Sequence, residues 1–112
     1  MSIEHFITDT GVIVISLNDR LDARSAPDVQ RQIDEIISDK QGSVLLDCRD
    51  TAYVSSAGLR VFISTSKWLK SRQRKMAVCC LRESVSEVFA ISGFTSVFDI
   101  FSTREEGLAK LV

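Results

Sequence analysis

The pattern of apolar and polar positions switches between two periods along the chain. Ile3 to Ile7 and Val12 to Leu17 are short apolar-rich runs, and Asp9-Thr10-Gly11 between them supplies the turn chemistry of a hairpin. Val29, Ile33, Ile36 and Ile37 then recur at the i, i+4, i+7, i+8 spacing of one helix face. Ser25 precedes that face as an expected N-cap, Pro27 falls in the first turn where a missing N–H costs little, and Gly42 closes the element. Ser43 to Cys48 reads as a central strand buried on both sides. Leu59, Phe62, Ile63, Ser66 and Leu69 trace the inner face of a second helix, which leaves Val61, Thr65 and Trp68 expected on its outer face at about 100° per residue. An outward Trp68 would either mark a partner surface or, the favoured reading, be covered by the C-terminal segment, Leu108 to Val112, folding back. Met76 to Leu81 predicts the next strand. Ser84 to Glu87 has capping-box spacing and Gly93 closes that helix. Val97 to Phe101 predicts an edge strand, and Thr103 to Glu106 repeats the box before a last short helix with Leu108 and Leu111.

The order β-β-α-β-α-β-α-β-α predicts an α/β fold. A mostly parallel sheet of about four to five strands, with an N-terminal antiparallel hairpin and four helices, fills residues 1–112 as one domain. Sites in such sheets lie beyond the carboxyl ends of the strands. The knot of small residues Ser55-Ser56-Ala57-Gly58 falls there, at the start of the second helix.

Composition narrows the chemistry. A formal charge of −1 gives no case for nucleic acid or an anionic membrane surface. Apolar runs such as Val12–Ile15 and Val44–Leu46 are too short to span a bilayer, and no signal-peptide pattern opens the chain, so a cytoplasmic protein is expected. Three cysteines in apolar surroundings, Cys48, Cys79 and Cys80, fit reduced core thiols better than a disulfide framework. No enzyme motif fits. A nucleophile elbow needs glycines on both sides of its serine, and only Gly58 is present. The single histidine, His5, lies in the first strand and reads as packed or solvated rather than as a general base. Cys79-Cys80 is vicinal rather than spaced by two, so no metal signature is visible, and no Gly-Lys-Ser/Thr phosphate loop occurs. Asp19, Asp22, Asp47 and Asp50 near strand ends suit turns and caps better than a magnesium site. No cofactor is expected.

What remains is the helix start. A cap would explain Ser55 or Ser56, because an N-cap hydroxyl accepts a first-turn N–H. The other reading is a regulated hydroxyl. A helix N-terminus accommodates an added phosphate, and Ala57 and Gly58 keep the approach uncrowded.

"DRLDARSAPDVQRQID" followed by "VLLDCRDTAYVSSAGLRVFISTSKWLK" resembles the anti-sigma factor antagonists of the STAS domain family. Asp22, Ser25-Ala26-Pro27, Asp50, Gly58 and Leu59 fall on the family's motif positions, and "FAISGFTSVFDIF" is similar to its stretch before the last strand. Aligning Gly58-Leu59 implies phosphorylation at Ser56, with Ser55 as the alternative target. Ser55 stands where the family has aspartate, and Arg60 replaces a second glycine. The resemblance implies partner switching. The unmodified chain, a monomer when free, binds an anti-sigma factor that is also a serine kinase, phosphorylation releases it, and a metal-dependent serine phosphatase resets it. ATP and magnesium would belong to the kinase. Asp22, Ser25, Ser55, Ala57, Gly58, Leu59 and Arg60 are the implied partner-binding residues, with Asp22 positioning the kinase rather than stabilising the fold. The alternative is a STAS scaffold or a lipid-transport-complex subunit without a phosphorylation cycle.

Overall fold

The computed structural model describes residues 3–112. Strand β1 (Glu4–Ile7) turns back through Thr8 and Gly11 to pair antiparallel with β2 (Ile13–Ser16). The chain then makes a short strand β3 (Arg20–Leu21), helix α1 (Ala26–Ser38), strand β4 (Val44–Asp47), a second short strand β5 (Tyr53–Val54) and helix α2 (Ser56–Ser71). Strand β6 (Met76–Cys79), helix α3 (Glu83–Ile91), strand β7 (Ile100–Phe101) and helix α4 (Arg104–Leu111) complete it. The main sheet runs β1-β2-β4-β6-β7, parallel except for its leading hairpin. The expected architecture is therefore present. Unforeseen is the separate parallel pair β3–β5, two residues on each side, which joins the loops that follow β2 and β4.

Alternation along the strands divides the core. Ile13, Ile15, Val44, Leu46 and Val78 face α1, α2 and α3, whereas Val12, Val14, Leu45, Ala77 and Cys79 face Leu108 and Leu111 of α4. Phe62 of α2, Phe89 of α3 and Phe98 form an aromatic cluster, with Phe62 and Phe89 edge to face at 5.1 Å. Phe94 joins Phe98. The close of α3 brings it there. Gly93 takes φ +79°, its N–H reaches Ala90 O, and Phe94 N–H reaches Phe89 O at 2.8 Å, the paired bonds of a Schellman stop.

Three local expectations are corrected. Val61 and Thr65 are buried, because α2 packs on α1 as well as on the sheet, and Gln30 Nε2 donates to Thr65 Oγ1 at 3.3 Å. Trp68 is half-buried beside α1, under the Arg72 guanidinium 4.0 Å from its ring. The C-terminal segment cannot cover it, since α4 lies on the opposite side of the sheet. Third, Ser84 caps nothing. Helix α3 starts two residues earlier than a Ser84 cap requires, with Arg82 at the N-cap, and the Ser84 hydroxyl donates to Ala52 O at 3.0 Å, whereas the box at Thr103 and Glu106 forms with both bonds in place.

Candidate functional site

The start of α2 sits where β3 and β5 end side by side. Leu21 pairs with Val54, and Ser55 N–H donates to Leu21 O at 2.9 Å, so the residues that follow, Asp22 and Ser55, continue in register. Gly58 allows this approach. Its φ is ordinary, but a Cβ there would overlap the Leu21 carbonyl oxygen and touch Leu21 Cγ. The glycine is required by space rather than by backbone angle.

The two serines divide the work. Ser55 is the N-cap, extended at φ −94° and ψ −179°, with Oγ accepting from Gly58 N–H at 3.3 Å, and it is half-buried. Ser56 is the first helical residue and exposed, and among the described residues its hydroxyl has no hydrogen-bond partner. Arg60, one turn further along α2, is exposed as well.

The loop beside them is built around Asp22 and Ser25. Asp22 Oδ1 accepts the N–H groups of Arg24 (3.0 Å) and Ser25 (3.2 Å), and Ser25 Oγ accepts from Asp22 N–H at 3.1 Å while donating to Arg20 O at 2.7 Å. Ser25 stands at the N-cap position of α1, but this loop takes its hydroxyl, so no side-chain cap forms. The Ser25 N–H, then that of Arg24 and the Arg20 guanidinium, hold the Asp22 carboxyl below its ordinary value against the cost of desolvation. Asp22 thus has the turn duty expected of an aspartate at a strand end: its carboxylate shapes the loop from within.

Of the other implied contacts, Gly58 and Leu59 are buried, Leu59 within the main core, and they support the site from beneath rather than offer side-chain surface. Ala57 is half-buried against the same core, and Asp50 is exposed in the loop before β5. Tyr53 and Arg20 flank the site, the guanidinium 4.5 Å from the ring. A second cluster escapes sequence reading altogether: Asp47, Cys79 and Cys80 meet at the carboxyl ends of β4 and β6. Asp47 is only 3% exposed, and its Oδ2 accepts two bonds from Arg104, at 2.7 and 3.0 Å.

This architecture matches known proteins over most of its length. The family model for the STAS domain covers residues 6–107. The chain belongs to the STAS domain family. It is 32% identical, over 88% of its length and 85% of theirs, to a candidate anti-sigma factor antagonist, BtrV, of Bordetella bronchiseptica. It is also 32% identical to the anti-sigma-B factor antagonist of Listeria monocytogenes, with 95% of this chain and 93% of the relative aligned. Among solved structures, a candidate anti-sigma factor antagonist from Thermotoga maritima superposes with a TM-score of 0.88 at 18% identity, over 97% of this chain and 93% of that one. The anti-sigma factor antagonist SpoIIAA in its unphosphorylated form gives 0.80 at 16% identity, over 97% and 95%. At those identities the two structures speak to the fold alone. No helix among the described residues is long and apolar enough to cross a membrane.

Proposed function

We propose that this STAS domain is an anti-sigma factor antagonist that works by partner switching, with Ser56 as its phosphorylated residue. In the unmodified state it binds an anti-sigma factor that is also a serine kinase. Phosphate on Ser56 releases that partner, and a metal-dependent serine phosphatase restores binding. The observation that carries this reading is the division between the two serines: Ser55 spends its hydroxyl on the cap, and Ser56 is exposed with its hydroxyl unengaged.

The physics of the switch is local. A phosphate on Ser56 lies at the positive end of α2, worth about 0.3–1 kcal/mol at an exposed position. It also stands four residues before Arg60 on the same helix face, the favourable order of anion and cation for an i, i+4 pair. The fold therefore tolerates the charge. A partner surface matched to a neutral hydroxyl does not, because enclosing an unpaired charge costs several kcal/mol, enough to weaken binding about 100-fold.

Incubation with the cognate kinase and ATP followed by peptide mapping is the deciding experiment. Ser56→Ala should abolish labelling and keep partner binding, and Ser55→Ala should still be labelled at Ser56. Ser56→Asp should bind about 100-fold more weakly with an unchanged circular dichroism spectrum. Labelling at Ser55, or full affinity in Ser56→Asp, would overturn the proposal.

A further inference from the structure

Successive side chains of a strand point to opposite faces, yet Cys79 and Cys80 both pack on the α4 side of the sheet. The backbone is the cause. Cys80 takes φ +63°, the left-handed region that penalises any residue with a Cβ, while its N–H still donates to Phe101 O at 3.0 Å. The ladder thus extends to the residue's N–H, and its side chain is turned back beside that of Cys79. In the neighbouring strand Asp47 is the register partner of Cys79. The two sulfurs and a carboxylate oxygen consequently lie within 4.8 Å of one another. A glycine would make this turn without strain, so a cysteine held there is an outlier that points to use.

We propose that Cys79, Cys80 and Asp47 form a site for a divalent thiophilic cation of the zinc class. Two thiolates and a carboxylate are ligands such ions take, and three protein ligands leave a fourth position open. That position faces a hollow of about 270 Å³, lined by Asp47, Cys80, Thr103 and Arg104, which gives the ion its way in. Asp47 has an acceptor position to spare. An ionised carboxylate has about four, of which Arg104 takes two and Arg49 N–H, at 2.9 Å, a third. Charge closes as well. On binding, each thiol releases its proton to solvent, and two thiolates plus the carboxylate are balanced by a divalent ion plus Arg104, whereas a monovalent ion leaves a net negative charge under α4. Cys48 is outside the site, its thiol packed in the core on the other face of the sheet.

Titration of the reduced full chain with Cd²⁺, followed by thiolate-to-cadmium charge-transfer absorbance, tests the site. One Cd²⁺ per chain should bind with the absorbance of two cadmium–thiolate bonds, and Zn²⁺ should displace it. Cys80→Gly removes one ligand and relieves the left-handed strain. It should melt no lower than the unaltered protein, bind at least tenfold more weakly and lose half the absorbance. Cys48→Ala should bind unchanged. Absence of saturable one-to-one binding, or absorbance undiminished in Cys80→Gly, would overturn the proposal.

Discussion

Gly58 is the residue on which the geometry of the helix start depends. Any side chain there drives its first carbon into the Leu21 carbonyl, so Gly58→Ala must push β3 and the start of α2 apart. Overpacking of this kind costs about 1–3 kcal/mol, and the urea midpoint should fall accordingly. The same displacement moves the Asp22 loop relative to Ser56, so partner affinity should fall in the folded variant too. An unchanged midpoint would show that β3 yields freely. The sequence marks Ser55 to Gly58 as a unit because four small residues stand together, but it leaves their separate duties open. Which serine caps depends on where β5 stops, and β5 exists only because β3 pairs with it. The need for glycine comes from Leu21, distant in sequence. Cys79 and Cys80 are illegible for a related reason: vicinal spacing argues against shared ligation until the backbone angle at Cys80 is known.

At the scale of elements, α2 shows what periodicity can and cannot convey. Its apolar stripe correctly indicates a helix, but the buried surface is wider than the stripe because α1 and the sheet each claim a side. The spacing alone therefore puts Val61 and Thr65 on the outer face, whereas both are buried, and Thr65 hides its hydroxyl by accepting from Gln30. Helix ends are legible where the residue type carries the geometry, as at Gly93, and illegible where it does not. Helix α2 ends with the same Schellman bonds as α3, Gln73 N–H to Lys70 O at 3.0 Å and Arg74 N–H to Leu69 O at 2.9 Å, yet the left-handed position is Gln73 at φ +59°. Gln73→Gly should remove that strain and stabilise the domain by about 0.5–1 kcal/mol, a rise of a few degrees in the melting midpoint. A fall in the midpoint would mean that the Gln73 side chain contributes more than the strain costs.

Across the whole molecule, α4 is the sole helix on its side of the sheet among the described residues, and one ion pair anchors it. Arg104 reaches from the first residue of α4 to Asp47 at the end of β4, and its guanidinium also lies 5.3 Å from the Phe6 ring on the edge strand β1. Arg104→Ala removes two charge-assisted bonds from a nearly buried carboxylate, and should cost about 2–3 kcal/mol in urea unfolding. Since the loss comes from stranding Asp47, the double variant Arg104→Ala/Asp47→Ala should be more stable than the sum of the two single effects. Strict additivity would show that the pair does not act as a unit. The order of elements along the chain and the leading hairpin were legible because each rests on a local run of residues. The division of helices between faces was not, because it follows from contacts such as Asp47–Arg104 between residues far apart in the chain.

The two-residue pair β3–β5 has a consequence for how the domain opens. It stands apart from the five-stranded sheet, with a ladder only two residues long, flanked by the bonds of Ala52 and Tyr53 N–H to Asp19 O and of Ser55 N–H to Leu21 O. Cooperative units of native proteins differ in stability, and so short a pair, anchored in the core only by Leu21 and Val54 and exposed at Arg20 and Tyr53, belongs at the low end of that range. The segment around Ser56 should therefore detach and reclose while β4 and β6 stay paired, which would present an extended stretch of chain to another protein without global unfolding. Amide hydrogen exchange should register this directly, with Tyr53 and Ser55 losing protection well before Leu45 and Val78. Equal protection at all four amides would mean that the small sheet opens only when the whole domain does.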